Sequence, residues 1–584
     1  MEDHKSVSSE VPHLGAEEVV AHSGVAKIKA THKVYGKYSR WFLFIGLGLS
    51  AYIYSLDGQT TWAYLAFAAS SLNDHSLIST IQVAQSIITE KAELTEVLLV
   101  ACGKPVISKV ADVQSRGTAY VAVLIFYVIG YIVIASAHSI QTIAGGIILY
   151  AIGYTGLQLL TQIIIADITT LQWRGLVSGL MSLPFIINAF IGSNISTQVL
   201  HGAGWRWGYG MFAILIPASL APLIVTLVWA ERKAKRLGLV PKKPVENKPL
   251  YKKAFDLASQ LDIFGLALIG TSVALILLPL TLADNAKGQW HNPSMIAMVV
   301  IGCVLFPLIG PWEFKFAKFP VVPWRYVKNR SVVGASLIGF FDFISFYLTY
   351  VYLYSFVLVV KPWTLINATY FIQTQSVGLT FFGICAGAAM RYFHRYKLML
   401  IIGLCIRLLG VGLMIHSRGA NASDAEIVWT QILQSMGGGM ASVTIQVAAQ
   451  ASVPHIDVAM VTAVVLLLTE IGGAIGSGIA GAIWTGMMPD KLAKYLPFVS
   501  AEERAALYAS ITTVTTYPRG NPIREGVISA YSDVMKVMLI IAAVLSVVPV
   551  IVAFFMPNWY LGDTQNAVDK EGLAGEKVPE DQKV

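Results

Sequence analysis

Charge is what this sequence has least of. Only 13% of its 584 residues are Asp, Glu, Lys or Arg, against roughly 25% in soluble domains, while 55% are hydrophobic. That deficit excludes an ordinary soluble protein and points to a polytopic membrane protein. Cysteine is also scarce. Cys102, Cys303, Cys385 and Cys405 all fall in or beside apolar segments, where a thiol behaves as a small hydrophobe, and they suggest neither a disulfide framework nor a metal site. The scattered histidines, among them His75, His138, His201 and His416, lack metal-ligand spacing. No nucleophile paired with a base, no phosphate loop and no metal set is present, so an enzyme is not expected. The formal net charge of +8 does not argue for nucleic acid, because the basic residues collect in short loops between apolar segments, which is a topological pattern. Residues 1–40 hold no apolar core, so no cleavable signal peptide is expected.

What is present is a series of long apolar segments. Spans are expected near 41–66, 76–103, 119–137, 143–166, 176–199 and 208–230, then near 261–283 and 294–312, then near 332–360, 367–390, 397–415, 425–452, 456–487 and 534–556. The expectation is an all-α polytopic membrane protein with fourteen transmembrane helices in the order six, two, six. An even number places both termini on one face, and the lysine and arginine distribution makes that face cytoplasmic. The divisions are an N-terminal tail (1–40), a first six-helix bundle (41–230), a basic cytoplasmic loop (231–260), two additional helices and a loop (261–331), a second six-helix bundle (332–556) and a cytoplasmic C-terminal tail (557–584). Within the second bundle the long extracellular loop 489–533 carries Tyr508, Tyr517, Arg519 and Tyr531. It reads as a folded lid, with an amphipathic helix at the membrane surface as the alternative. Two six-helix halves are similar to the major facilitator fold, which rocks about a midplane site.

Against this apolar background each ionisable residue needs an explanation. Asp57 lies in Ser55-Leu-Asp-Gly-Gln-Thr-Thr-Trp62 of the first span. A carboxylate at mid-membrane costs about 2.5–3.5 kcal/mol on insertion scales and marks a proton or substrate path; the alternative is a helix ending near Leu56 with Asp57 at the interface. Asp342 opens the second half as Asp57 opens the first, and Glu470 lies in the thirteenth span. These three are the proton-coupling candidates, and either Asp342 or Glu470 could instead pair with Arg407 of the eleventh span. Phe343, Tyr347, Tyr350 and Tyr354 recur at steps of four, three and four, which places them on one helix face. With Gln158, Gln162, Asn188, Gln373 and Gln446 they are candidates to line a central cavity, while packing between helices is the competing role.

The loop after the second span reads Lys109-Val-Ala-Asp-Val-Gln-Ser-Arg-Gly117 and resembles the loop motif of the major facilitator superfamily. Asp112 and Arg116 stand at its acidic and basic positions, a charge latch at helix ends, with Asp167 and Arg174 as a second, looser latch. Ser55-Leu-Asp-Gly58, Gly103-Lys-Pro-Val-Ile-Ser-Lys-Val-Ala-Asp112, Trp205-Arg-Trp-Gly-Tyr209 and the long lid narrow the resemblance to fungal siderophore-iron transporters, over about residues 40–556. The resemblance implies proton-coupled import of ferric siderophores, of hydroxamate type, by a monomer in the lipid bilayer. The plasma membrane is expected, with the endosomal or vacuolar membrane as the alternative. A siderophore wraps iron in six oxygens, so no cofactor is expected: iron travels only within the siderophore, and protons are the coupling ion. The rival is a fourteen-helix exporter of drugs or thiol peptides. Drug antiporters carry an arginine in the fourth span and Gly-Pro in the fifth, whereas this chain has Leu149, Tyr150, Gly153 and Gly156 in the one and Leu183-Pro184-Phe185 in the other.

One stretch breaks the pattern. Glu90, Lys91, Glu93 and Glu96 interrupt the second span, and a helix over 76–103 would be about 42 Å long, more than a bilayer needs. Glu90 to Leu99 therefore reads as an insertion from translated intron sequence, with a real kinked or ion-paired helix as the alternative.

Overall fold

Proline and capping residues punctuate the chain. Pro184, with no N–H to donate, stands at the first position of one helix just after another ends at Met181, so the fifth apolar segment is two helices rather than one. Asn521 followed by Pro522 starts the last long helix, the Asn521 side chain accepting from Ile523 N–H. Ser423 and Glu426 form a reciprocal capping box at the start of another. The computed structural model describes residues 23–71, 103–240, 249, 252, 258–260, 262–282, 291–509, 511–570 and 572–573. The Glu90–Leu99 stretch lies outside them.

The described elements are all helical: α1 (Ser23–His32), α2 (Lys37–Ser71), α3 (103–113), α4 (Arg116–Ala135), α5 (Ile140–Ile168), α6 (Leu171–Met181), α7 (Pro184–His201), α8 (Gly204–Arg236), α9 (Ile263–Leu282), α10 (Pro293–Pro311), α11 (Trp324–Lys328), α12 (Arg330–Tyr350), α13 (Leu353–Val360), α14 (Leu365–Phe393), α15 (Lys397–Ser417), α16 (Asp424–Ala451), α17 (Val458–Tyr495), α18 (Ala501–Ala509), α19 (Ile511–Thr515) and α20 (Pro522–Phe555). Eleven stretches among the described residues are long and apolar enough to cross a bilayer. The first half, α2 to α8, has its own core around Tyr64, Tyr120, Tyr127, Tyr131 and Phe212. The second half, α12 to α17 with α20, has two, one of them around Phe356, Trp484, Met535 and Met538. The α9–α10 pair packs through Ile269 and Val273 on Leu467, Ile471 and Ala474 of α17. On α10, Ile296, Val300, Val304 and Phe306 are exposed, as an outer face meeting lipid requires.

Two long helices outrun the expected spans. α17 continues to Tyr495 and α20 begins at Pro522, so the connection between them is 496–521 rather than 489–533. The overhanging ends are tied together, Lys491 to Asp533 at 2.8 Å and the Tyr495 hydroxyl donating to the same carboxylate at 2.9 Å. A span read from hydropathy stops where charge begins; the helix does not, because paired charges are at home in water beyond the bilayer.

Glycine sets the closest crossings. A Cβ at Gly153 of α5 would stand 2.6 Å from the backbone of Tyr127, and one at Gly476 of α17 would stand 2.7 Å from the Ile344 carbonyl. Both crossings exist because backbones can touch there. Gly476→Leu should therefore lower the thermal unfolding temperature of the purified protein, through overpacking of about 1–3 kcal/mol, whereas Gly412→Leu, with open space around it, should leave that temperature unchanged.

Candidate functional site

In the first half, α2 carries Asp57 to a fully buried position, where two turns of α4 and one of α5 supply the answer to its charge. The hydroxyls of Tyr127 and Tyr131, four residues apart on α4, both donate to the Asp57 carboxylate, and Tyr150 of α5 donates from 3.2 Å. Tyr127, Tyr131 and Tyr150 also pack ring against ring, with centroids 4.8–5.3 Å apart. Asp57 is thus inside the helix and not at an interface. One to two turns earlier on α2, Tyr54 and Ser50 line a cavity of about 140 Å3 together with Gln158, Thr161, Gln162 and Phe185, among others. Gln162 accepts from the Ser178 hydroxyl at 3.0 Å.

The second half answers its own carboxylate differently. Arg407 Nε of α15 lies 2.6 Å from Asp342 of α12, and the same guanidinium donates to the Asp342 backbone carbonyl at 2.6 Å. Glu470 of α17 pairs instead with Lys104 of α3 at 2.7 Å, the lysine fully buried. The two carboxylates that sequence alone could not assign to Arg407 are therefore separated: Asp342 takes the arginine from within its half, and Glu470 takes a lysine from across the divide. Gln373 of α14 also crosses it, donating to Gln59 of α2 at 2.8 Å.

At the face where α3 meets α4, the latch face, Arg116 holds Asp112 at 2.6 Å and Asp167 at 2.9 Å, and His455 Nε2 of the second half stands 3.2 Å from Asp167. Arg174 does not form a second latch with Asp167. Its guanidinium donates to the carbonyls of Ala166 and Thr169 at the end of α5 and of Gln565 beyond α20. One network replaces the two expected latches.

The aromatic face is also corrected. α12 ends at Tyr350 and the chain turns before α13, so Tyr354 leaves the register of Phe343, Tyr347 and Tyr350 and is exposed. Phe343 and Tyr347 remain ring neighbours at 6.3 Å, and Tyr350 stacks on Phe346 at 4.9 Å. Asn188 is buried and donates to the Tyr52 carbonyl at 3.0 Å, bridging α7 to α2; Gln446 Oε1 is buried without a hydrogen-bond partner. Of the lid residues, Tyr531 is packed in the core of α20 with its ring edge on Trp484 at 4.8 Å. Arg519 caps the Val360 carbonyl and pairs with Glu525 at 3.0 Å. Tyr517 donates to Glu503 at 3.3 Å, and Tyr508 lies partly exposed on α18. Where the connection between α13 and α14 meets the start of α16, the Trp363 indole and then Lys361 hold the Asp424 carboxyl below its usual range. Tyr127, Tyr131, Tyr150, Lys104, Gln59 and His455 were not singled out by sequence. The four-residue spacing of Tyr127 and Tyr131 was the available signal for two of them.

A family model for the Major Facilitator Superfamily matches residues 43–477. The chain is 37% identical to the siderophore transporter fer7 of Mycosarcoma maydis, covering 95% of this chain and 86% of that one. It is 36% identical to the low affinity heme transporter str3 of Schizosaccharomyces pombe, over 95% and 90%, and 36% identical to the siderophore iron transporter mirC of Emericella nidulans, over 94% and 89%. The chain belongs to the fungal siderophore-iron transporter family of the major facilitator superfamily. It is a multi-pass membrane transporter and not an enzyme. The fold is shared with the proton:xylose symporter XylE, at a TM-score of 0.53 and 12% identity over 92% and 99% of the two chains.

In this transporter Asp342 and Arg407 behave as a closed pair. Arg407→Ala should leave a buried carboxylate unanswered and cost about 3–5 kcal/mol, seen as loss of monodisperse protein in detergent. The double replacement Asp342→Leu with Arg407→Met should recover the monodisperse fraction.

Proposed function

We propose that this transporter imports ferric siderophores of hydroxamate type together with protons, by alternating access, with the latch face in the cytoplasm and the lid face outside, at the plasma membrane. The observation that carries the coupling is Asp57. Its carboxylate is held by the hydroxyls of Tyr127, Tyr131 and Tyr150, which can give or withdraw a hydrogen bond, and not by a cation, and Tyr54, one turn before it, lines a chamber. A group so placed can exist with or without its proton inside the membrane, as a coupling site requires. Asp342 and Glu470 hold cations and serve structure and conformational change.

A cavity of about 140 Å3 is smaller than the roughly 300–1,000 Å3 of ligand sites, so a bulky chelate enters only when the halves part. Serine, threonine, glutamine and aromatic side chains line it, which suits the organic shell of a siderophore. Iron needs no protein ligand, since the siderophore supplies its six oxygens. The heme cargo named for one relative at 36% identity supports a second reading, iron carried within heme, which the same chamber chemistry would admit after opening.

Expression in a host lacking its own uptake systems, supplied in turn with iron-loaded hydroxamates, iron-loaded catecholates and heme, should give pH-dependent iron accumulation with the hydroxamates. Accumulation from heme alone would select the second reading, and iron leaving loaded cells would select export. Asp57→Asn should lower pH-driven accumulation at least about tenfold while surface labelling shows the protein in the membrane; uptake at the parental rate would remove Asp57 from coupling.

A further inference from the structure

Just beyond α20, residues 557–567 stay on the bundle. Pro557 to Leu561 are bound to the second half: the Tyr396 hydroxyl donates to the Pro557 carbonyl, Arg395 donates to Asn558 O at 2.8 Å, Trp559 Nε1 donates to Ser331 at 2.8 Å, and Leu561 N–H donates to His394 O at 3.0 Å. His394 ends α14 in the left-handed region, φ 54°, which turns its carbonyl out to meet Leu561. The next residues cross to the first half. Leu171 N–H donates to Thr564 O at 2.9 Å and Gln172 N–H to Gly562 O at 3.2 Å. Arg174 donates to Gln565 O at 2.8 Å, and Gln565 Nε2 donates to the Asp167 carbonyl at 3.0 Å. Ala567 N–H then returns to Ala451 O of the second half at 3.1 Å. Gln565 and Asn566 are fully buried.

The crossing answers a defect in α6. The first N–H groups of a helix have no partner within it, and a side chain at the N-cap normally supplies one. Thr170, at the N-cap of α6, makes no such bond. The tail carbonyls of Gly562 and Thr564 take its place, so α6 is capped by a segment belonging to the other half. Asp167, whose backbone and side chain meet Gln565, Arg116 and His455, sits at the same junction.

We propose that residues 557–567 are a strap that locks the latch face shut and must detach from α6 for that face to open. The second half carries the strap covalently, so any rocking that separates α6 from α14 on this side breaks the bonds to Leu171, Gln172 and Arg174. The strap therefore sets the balance between the closed and open latch face, and a change in its own state would regulate transport. This rests on the transport reading only in requiring that the halves part.

The first test does not depend on cargo. In a background with the four native cysteines replaced by alanine, Thr161→Cys places a thiol in the chamber. Ending the chain after Pro557, or Gln565→Ala in the full chain, should raise its labelling by a membrane-impermeant maleimide from the latch face about tenfold, the size of losing one or more net hydrogen bonds. Unchanged labelling in both variants overturns the strap. Where the shortened chain does not fold, cross-linking decides. A short thiol cross-linker joining Gln172→Cys to Asp563→Cys should abolish uptake, restored on cleaving the link. Joining Arg395→Cys to Tyr560→Cys, both already on the second half, should leave uptake unchanged. Full uptake by the first cross-linked pair also overturns the strap. If the parent chain takes up no tested cargo, the transport reading fails, and the labelling comparison still reads the strap.

Discussion

A charge inside hydrocarbon must be answered by something the protein brings with it, and most of this bundle's internal geometry follows from how that is done. Asp57 is answered by three hydroxyls, Asp342 by Arg407, Glu470 by Lys104, and Asp167 by Arg116 with His455 beside it. Each pairing fixes which helices must be neighbours and at what depth. Apolar packing alone could not do this, since lipid tails are as apolar as leucine and offer no preference between helix and bilayer.

The pairings divide into two kinds. Asp57 with Tyr127, Tyr131 and Tyr150, and Asp342 with Arg407, close within one half. Lys104–Glu470, Gln59–Gln373, Asp167–His455 and the tail bonds to α6 span the two halves. Bonds of the first kind hold each half together, whereas bonds of the second kind hold one half against the other. Close glycine crossings reinforce the distinction. Those at Gly153 and Gly476 lie within a half and resist shear, whereas Gly175 of α6 and Gly387 of α14 bring the halves into backbone contact, a Cβ at Gly387 standing 2.6 Å from the Gly175 carbonyl. Backbone contact of that kind demands no interlocking side chains and can be remade.

Amino-acid order by itself settled the class of molecule and its family: a run of apolar segments, a scarcity of charge and a few short motifs leave little other choice, because a bilayer imposes length and polarity on any helix that crosses it. It also singled out Asp57, Asp342 and Glu470, since a charge among apolar residues is conspicuous at any position. Partners were another matter. Lys104 and Glu470 are 366 residues apart, Asp57 and Tyr150 are 93 apart, and Leu171 meets Thr564 through backbone atoms that no side-chain pattern reports. The break between α12 and α13, which takes Tyr354 off the aromatic face, and the extension of α17 and α20 past the hydrophobic runs were likewise invisible to periodicity. Periodicity describes a helix against an averaged environment, while pairing and capping depend on which other helix arrives, at what depth and in what register, and only the folded bundle decides that.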